Sequence, residues 1–171
     1  MRSQDKRTYV IAVSGVCLAL ALALSYLEYL IPLNLLIPLP YVKLGLANVV
    51  VLYLMYRHTS AQAFTVSILR VCLSALLFGS VTGFLFSLLG ALLSFAAARL
   101  MMPLYGRVSF VGISMVSAAC HNIGQIIAAC LMFASFGPVM YLPVLLIAST
   151  FTGAITGLII MLSERNLGVK A

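Results

Sequence analysis

The sequence predicts an all-α integral membrane protein that folds as a bundle of six transmembrane helices. Hydrophobic residues make up 64% of the chain and charged residues 8%, whereas a soluble domain has about 45–50% apolar and about 25% charged residues. The apolar residues form six runs, and 171 residues accommodate about six crossings of about 20 residues each. We therefore predict one membrane domain over residues 1–171.

Proline, glycine and charged residues divide the chain into the six predicted helices. The helices span residues 9–30, 44–56, 61–78, 83–101, 109–135 and 139–163. The second is short for a complete crossing, and it follows a proline-rich segment, residues 32–40. Non-helical backbone lies within a bilayer only where protein or water satisfies its polar groups. The second helix is therefore a candidate to begin inside the membrane, after a re-entrant segment.

Basic residues predict the orientation of the bundle. With both termini in the cytoplasm, eight basic residues fall on the cytoplasmic side, and Lys43 alone falls on the outer side. The eight are Arg2, Lys6, Arg7, Arg57, Arg99, Arg107, Arg165 and Lys170. Because cytoplasmic loops are enriched in Lys and Arg, we expect a multi-pass protein of the cell membrane with an even number of crossings.

Polar residues within the apolar runs lie in the middle or the outer half of the predicted bundle. Glu28 lies near the outer end of the first helix, Lys43 and Asn48 begin the second, and Arg70 lies in the middle of the third. A charge at the bilayer centre costs at least roughly 2.5–3.5 kcal/mol, so it faces a partner or a water-filled cavity. This distribution predicts a cavity that opens to the outside and is closed on the cytoplasmic side.

The charges in this region do not balance, because Lys43 and Arg70 outnumber Glu28. Glu28 either neutralises one of the two in a buried ion pair without further function, or belongs to a site with surplus positive charge. A guanidinium binds phosphate and carboxylate groups bidentately. We therefore expect a small-molecule ligand with an anionic group to contact Glu28, Lys43, Asn48 and Arg70.

Three polar side chains, His121, Asn122 and Gln125, lie in the fifth predicted helix. Residues three and four apart are neighbours on a helix, so these side chains turn toward one broad face. Gly124 among them permits close approach of a neighbouring group. The three residues form either hydrogen bonds between helices or ligand contacts, and we include them in the predicted ligand site.

Tyrosines and small residues suggest two further features. Tyr26, Tyr29, Tyr41 and Tyr141 lie near the outer surface, either as an aromatic belt or as part of a lid over a ligand. Pairs of small residues four apart let helices approach closely. The pairs are Ala19 with Ala23 and, more strongly, Gly153 with Gly157.

The sequence argues against catalysis and against nucleic-acid binding. It has no Walker sequence, and its three acidic residues form no cluster to hold the Mg²⁺ that diphosphate chemistry generally uses. The four cysteines lack metal-ligand or cofactor-attachment spacing. The basic residues behind the net charge of +7 are scattered at helix ends. We expect no enzyme activity, no cofactor, no metal and no nucleic-acid partner.

Four segments together resemble one known family. They are Pro40-Tyr41-Val42-Lys43-Leu44-Gly45-Leu46-Ala47-Asn48, Leu69-Arg70-Val71, Phe84-Leu85-Phe86-Ser87-Leu88-Leu89-Gly90-Ala91 and Ala119-Cys120-His121-Asn122-Ile123-Gly124-Gln125. Over residues 19–162 the chain is similar to the Gx transporter family, which is also labelled heptaprenyl diphosphate synthase component I.

The resemblance implies a six-helix fold similar to the S components of energy-coupling-factor (ECF) vitamin transporters. S components bind ligand from the outer side, beneath the loop between their first two helices. They deliver it by toppling against a transmembrane coupling subunit that separate ATPases drive. By this fold-level analogy, Ala19 and Ala23 would meet the coupling subunit.

The family labels imply two kinds of function. A transport subunit would bind a vitamin, a flavin or an isoprenoid or quinone-precursor molecule and deliver it across the membrane. The alternative is a noncatalytic membrane subunit of a heptaprenyl diphosphate synthase or of an extracytosolic electron-transfer complex. Because the outer cavity expected from the polar residues agrees with transport, we predict ligand binding and uptake.

Overall fold

A computed structural model describes residues 3–31 and 43–166 of the chain. Within these ranges the regular secondary structure is helical. The six α-helices of the described residues are α1 (Ser3–Leu30), α2 (Asn48–Arg57), α3 (Ser60–Leu77), α4 (Val81–Met101), α5 (Phe110–Phe133) and α6 (Leu142–Asn166). Short 3-10 helices, Met102–Leu104 and Gly137–Tyr141, precede α5 and α6.

Five of these helices, all except α2, are long and apolar enough to cross a membrane. They indicate a multi-pass membrane protein. In contrast, α2 has ten residues, which extend about 15 Å against about 30 Å for the hydrocarbon core. Since α2 alone covers about half of that distance, the sixth crossing stays a prediction.

Three helix starts differ from the predicted ones by three residues or more, for local reasons. α1 starts at Ser3 rather than at residue 9, because the polar first residues continue the helix. α2 starts at Asn48 rather than at residue 44, because Gly45 has a φ of +81° and such backbone interrupts a helix. α6 starts at Leu142 rather than at residue 139, because a 3-10 turn containing Pro138 comes first.

The backbone before α2, residues 43–47, is non-helical yet lies inside the bundle. Gly45 and Ala47 are buried, and Lys43 is half-buried. The observed start of α2 is therefore within the protein interior. The proline-rich residues 32–40 and Tyr41 lie outside the described residues, as do Arg2 and Lys170, so the predicted re-entrant segment stays a prediction.

The fifth helix packs between α4 and α6, and glycines allow the close contacts. A Cβ added at Gly124 would lie 2.5 Å from a backbone oxygen of α4. Added at Gly153 it would lie 2.5 Å from Met115 Cα, and at Gly157 2.7 Å from Val111 Cα. The predicted helix-packing role of Gly153 and Gly157 is confirmed.

Aromatic contacts define one end of the bundle, which we call the basic end. The ring centroids of Tyr9 and His58 are 6.3 Å apart, and those of Tyr56 and Tyr105 are 5.2 Å apart. These contacts join the start of α1, the α2–α3 turn and the α4–α5 connection. The basic end thereby carries Lys6, Arg7, Arg57, Arg99 and Arg107.

The opposite end, which we call the aromatic end, brings together α1 and α3. Phe78 packs against Tyr26 and Tyr29, with ring centroids 5.4 and 5.7 Å apart. The two ends correspond to the predicted cytoplasmic and outer surfaces, and the orientation of the termini stays a prediction.

Near the basic end the core is apolar, and its buried hydroxyl groups are paired. Leu52, Leu54 and Phe110 belong to the largest buried apolar cluster. Ser94 and Ser117 oxygens are 2.8 Å apart, and the oxygens of Ser114 and Thr156 are 2.6 Å apart. These four hydroxyl groups are therefore satisfied within the protein.

Candidate functional site

A cluster of buried polar side chains lies in the half of the bundle toward the aromatic end. Six of the seven predicted ligand residues are buried there, and Lys43 is half-buried. The six are Glu28, Asn48, Arg70, His121, Asn122 and Gln125. Four helices contribute to the cluster: α1, α2, α3 and α5. The packing of these four helices brings the polar side chains together.

Two of these side chains satisfy the non-helical backbone before α2. Glu28 Oε1 accepts a hydrogen bond from the Leu46 N–H, and Gln125 Oε1 accepts one from the Lys43 N–H at 3.3 Å. The residue before α2, Ala47, offers no side-chain cap. A carboxylate near the start of α2 is also favourable to the helix dipole. Glu28 and Gln125 thus have structural contacts independent of any ligand.

Arg70 is 2% exposed and is only partly satisfied. Its Nη1 donates to Ser25 Oγ at 3.1 Å. Within the described residues, Arg70 Nε and Nη2 have no hydrogen-bond partner, and neither has Glu28 Oε2. Glu28 interacts electrostatically with Arg70 and, less strongly, with Lys43. The buried carboxylate therefore offsets part of the positive charge, while Arg70 Nε and Nη2 keep no partner among the described residues.

The polar side chains of α5 point to different neighbours. Gln125 Nε2 donates to His121 Nε2 at 3.1 Å. The His121 ring packs on Gly90, where an added Cβ would lie 2.8 Å from the ring. Asn122 instead donates to the Leu145 carbonyl of α6 at 2.7 Å. The broad face predicted for the three residues is therefore divided between two helix interfaces.

A cavity of about 230 Å³ lies beside this cluster, and we call it the Lys43 cavity. Lys43 is the one predicted ligand residue that lines it. The cavity residues are Tyr29, Lys43, Ser74, Ala75, Phe78, Gly79, Ser80, Gly83, Phe84 and Ser87. Lys43 Nζ donates to Ser87 Oγ at 3.0 Å. A lysine ammonium has three donors, so this neutral partner leaves capacity for an anion.

Sequence reasoning missed the serines that line the cavity. Ser74 and Ser87 are buried, and Ser80 caps the start of α4 by accepting from the Gly83 N–H. The sequence does contain a signal for them. Ser67 and Ser74, and likewise Ser87 and Ser94, are seven residues apart. Residues at this spacing lie on the same face of a helix, two turns apart.

The tyrosines predicted as a belt or a lid have different positions. Tyr29 lines the Lys43 cavity, whereas Tyr141 packs against a separate cluster that contains Ile126 and Leu145. Tyr26 is 47% exposed beside Tyr29. Among the described tyrosines of this set, Tyr29 therefore lies next to the cavity, whereas Tyr26 and Tyr141 have surface or packing positions.

Two other predicted features are visible in the described residues. Ala19 and Ala23 are exposed on α1, and their contact with a partner stays a prediction. No group of three or more His, Cys, Asp or Glu side chains able to hold a metal ion occurs in residues 3–31 and 43–166. The described site presents one ammonium group and several serine hydroxyl groups at a cavity wall.

Comparison with known proteins gives one match. The family model described as heptaprenyl diphosphate synthase component I matches residues 17–162. No curated protein and no solved structure matches the chain. Because the matched segment covers most of the sequence, this chain belongs to the heptaprenyl diphosphate synthase component I family.

Proposed function

We propose that this protein binds a small molecule with an anionic group in the Lys43 cavity and delivers it across the membrane. The observation that carries the proposal is the Lys43 ammonium at the cavity wall, hydrogen-bonded to a neutral serine. Buried Arg70 adds a second positive charge nearby. The anion supplies the negative charge that Glu28 alone does not provide.

The electrostatic cost of the buried charged groups supports this proposal. Charges removed from water are unfavourable unless partners and hydrogen bonds compensate them. Arg70 and Glu28 retain atoms without partners among the described residues, whereas hydroxyl groups near the basic end are paired. The contrast locates the incomplete interactions in the half that contains the cavity. An anion bound at Lys43 would offset the surplus positive charge in this half.

The transport part of the proposal rests on the resemblance to ECF S components. By that analogy, a coupling subunit and ATPases would drive delivery, and Ala19 and Ala23 would meet the coupling subunit. Both alanines are exposed on α1, so a partner helix can reach them. Small residues of this kind permit close packing between membrane helices.

A second candidate function is a noncatalytic membrane subunit of a heptaprenyl diphosphate synthase. The family description favours it. The sequence has three acidic residues in total, too few for the paired carboxylate clusters that would hold Mg²⁺ for a diphosphate reaction. In this function the catalytic residues belong to a partner enzyme. An extracytosolic electron-transfer complex is the corresponding alternative partner.

The two candidates are separated by native mass spectrometry of the gently purified protein. We expect the wild-type protein to retain a discrete small mass, and Lys43→Met to reduce the bound fraction at least about tenfold, because it removes a charged hydrogen-bond donor. The matched control is Arg107→Met, which removes an exposed charge at the basic end and leaves the bound mass unchanged.

Either of two results contradicts ligand binding in the Lys43 cavity. One is a bound mass that persists equally in Lys43→Met. The other is a wild-type protein that carries no small molecule and co-purifies with a prenyl synthase, which would support the second function. Gel filtration of each variant checks that it remains folded and dispersed.

A further inference from the structure

A second cavity lies directly beside the Lys43 cavity, between α3 and α4. We call it the side cavity, and it has a volume of about 310 Å³. Its lining residues are Cys72, Ala75, Leu76, Ser80, Val81 and Phe84. Three of them, Ala75, Ser80 and Phe84, also line the Lys43 cavity. The two cavities are therefore adjacent across one shared wall.

The side cavity opens at an exposed apolar surface next to the α3–α4 turn. Leu76 and Val81, on its outer margin, are each 82% exposed, and they belong to helices long and apolar enough to cross a bilayer. No charged side chain lines the side cavity, whereas the Lys43 cavity contains the ammonium group and three serines. Polarity thus falls from the interior of the bundle toward the lipid.

We propose that the site takes an amphiphile, namely a phosphate head on a hydrocarbon tail, which reaches it from the bilayer between α3 and α4. The head binds Lys43, and the tail lies in the side cavity past Phe84. This inference rests on the proposed function, because it uses the same cationic cavity. It narrows the ligand from any small anion to a lipid-soluble one.

The sizes of the cavities agree with this division. Ligand pockets usually enclose about 300–1,000 Å³. The Lys43 cavity alone, at about 230 Å³, is below that range, and the two cavities together fall within it. A charged head is stabilised only where cationic donors replace its water, and an apolar tail is indifferent between lipid and an apolar wall. The polar cavity therefore determines the position of the head.

A cysteine in the side cavity gives a direct test. Cys72 is half-buried there, and half-buried Cys130, which packs near Leu142 in a separate cluster, is an internal control. The wild-type protein in phosphatidylcholine nanodiscs is treated with a membrane-permeant maleimide, and labelled peptides are identified by mass. The probes are hexadecyl phosphate, hexadecanol, which lacks the charge, and inorganic phosphate, which lacks the tail.

We expect hexadecyl phosphate to protect Cys72 selectively. At about ten times its dissociation constant, the labelling rate falls about tenfold, because only the free protein reacts. Hexadecanol and inorganic phosphate leave the rate unchanged, Lys43→Met abolishes the protection, and Cys130 labelling stays constant in every case.

Three outcomes overturn the inference, and they separate it from the proposed function. If hexadecanol protects Cys72 equally, the tail occupies the side cavity without recognition of the head. If a Lys43-dependent mass is retained in native mass spectrometry and Cys72 remains reactive with hexadecyl phosphate, the ligand is an anion without a tail in the side cavity. If no anion binds in either experiment, the proposed function fails as well.

Discussion

At the scale of single residues, the environment of Arg70 explains how this protein tolerates a charge within the membrane. A central Arg costs at least roughly 2.5–3.5 kcal/mol in a bilayer. Ser25 accepts from one guanidinium nitrogen, and Glu28 provides the opposite charge. Glu28 is itself held by the Leu46 N–H. The carboxylate therefore offsets the charge of the guanidinium and also accepts a hydrogen bond from the backbone before α2.

A double-mutant cycle will measure which basic residue interacts more strongly with Glu28. We expect Glu28→Gln and Arg70→Gln to show a coupling free energy of about 1–3 kcal/mol, because buried neighbours in one network are not additive. The same cycle with Lys43→Gln gives a smaller coupling, since Lys43 interacts less strongly with Glu28. The free energy of unfolding in detergent micelles is the observable. Equal couplings for the two pairs would contradict the assignment.

The sequence predicts some properties of these residues and misses others. Arg70 and Glu28 interrupt apolar runs, so their depth in the membrane is a local property that can be predicted. The hydrogen bond from Leu46 to Glu28 depends on where the chain returns to the bundle, which is a long-range property. The cavity position of Ser74 is also difficult to predict, because serine is common at contacts between membrane helices.

At the scale of helices, the α5–α6 interface depends on backbone proximity. We expect Gly153→Ala to destabilise the protein by about 1–3 kcal/mol, because overpacking displaces neighbouring groups. The added Cβ would lie 2.5 Å from Met115 Cα, and backbone cannot move aside as a flexible side chain can. Unfolding in detergent micelles again gives the change in free energy.

The chain offers a matched control on α1. A Cβ added at Gly15 meets no atom within 4 Å, and alanine is the better helix former by about 0.5–1 kcal/mol. Gly15→Ala should therefore leave the stability unchanged or raise it. If both substitutions have the same effect on unfolding, close packing at Gly153 does not stabilise the interface.

The long helices could be predicted more completely than α2. Apolar runs separated by turn residues indicate α3 to α6 from local sequence alone. The sequence pattern predicts too early a start for α2, because the residues from Leu44 to Ala47 are as apolar as the helix that follows. Their non-helical backbone depends on Gly45 with its positive φ and on acceptors supplied by other helices.

At the scale of the whole molecule, the bundle has one basic end and one aromatic end. The α2–α3 turn and the α4–α5 connection share the basic end. The connection between α5 and α6 lies at the other end, because α5 is long enough to span the membrane. Basic residues favour the cytoplasmic side, so the basic end should be cytoplasmic.

Side-specific labelling will test this orientation and the sixth crossing. In a variant whose native cysteines are replaced by alanine, we expect Thr59→Cys and Arg107→Cys to react with an impermeant maleimide from the cytoplasmic side only. Ser135→Cys should react from the outside only. All three positions are exposed. Reaction of Thr59→Cys from the outer side would show that α2 does not complete a crossing.

The buried segment from Lys43 to Ala47 also has a consequence for biosynthesis. When α2 leaves the ribosome, its ten residues are too short to be recognised as a membrane span of about 20 residues. The acceptor for the Lys43 N–H is Gln125 of α5, which is synthesised much later. This hydrogen bond can therefore form only after α5 has been synthesised, so the segment completes its backbone interactions late in synthesis.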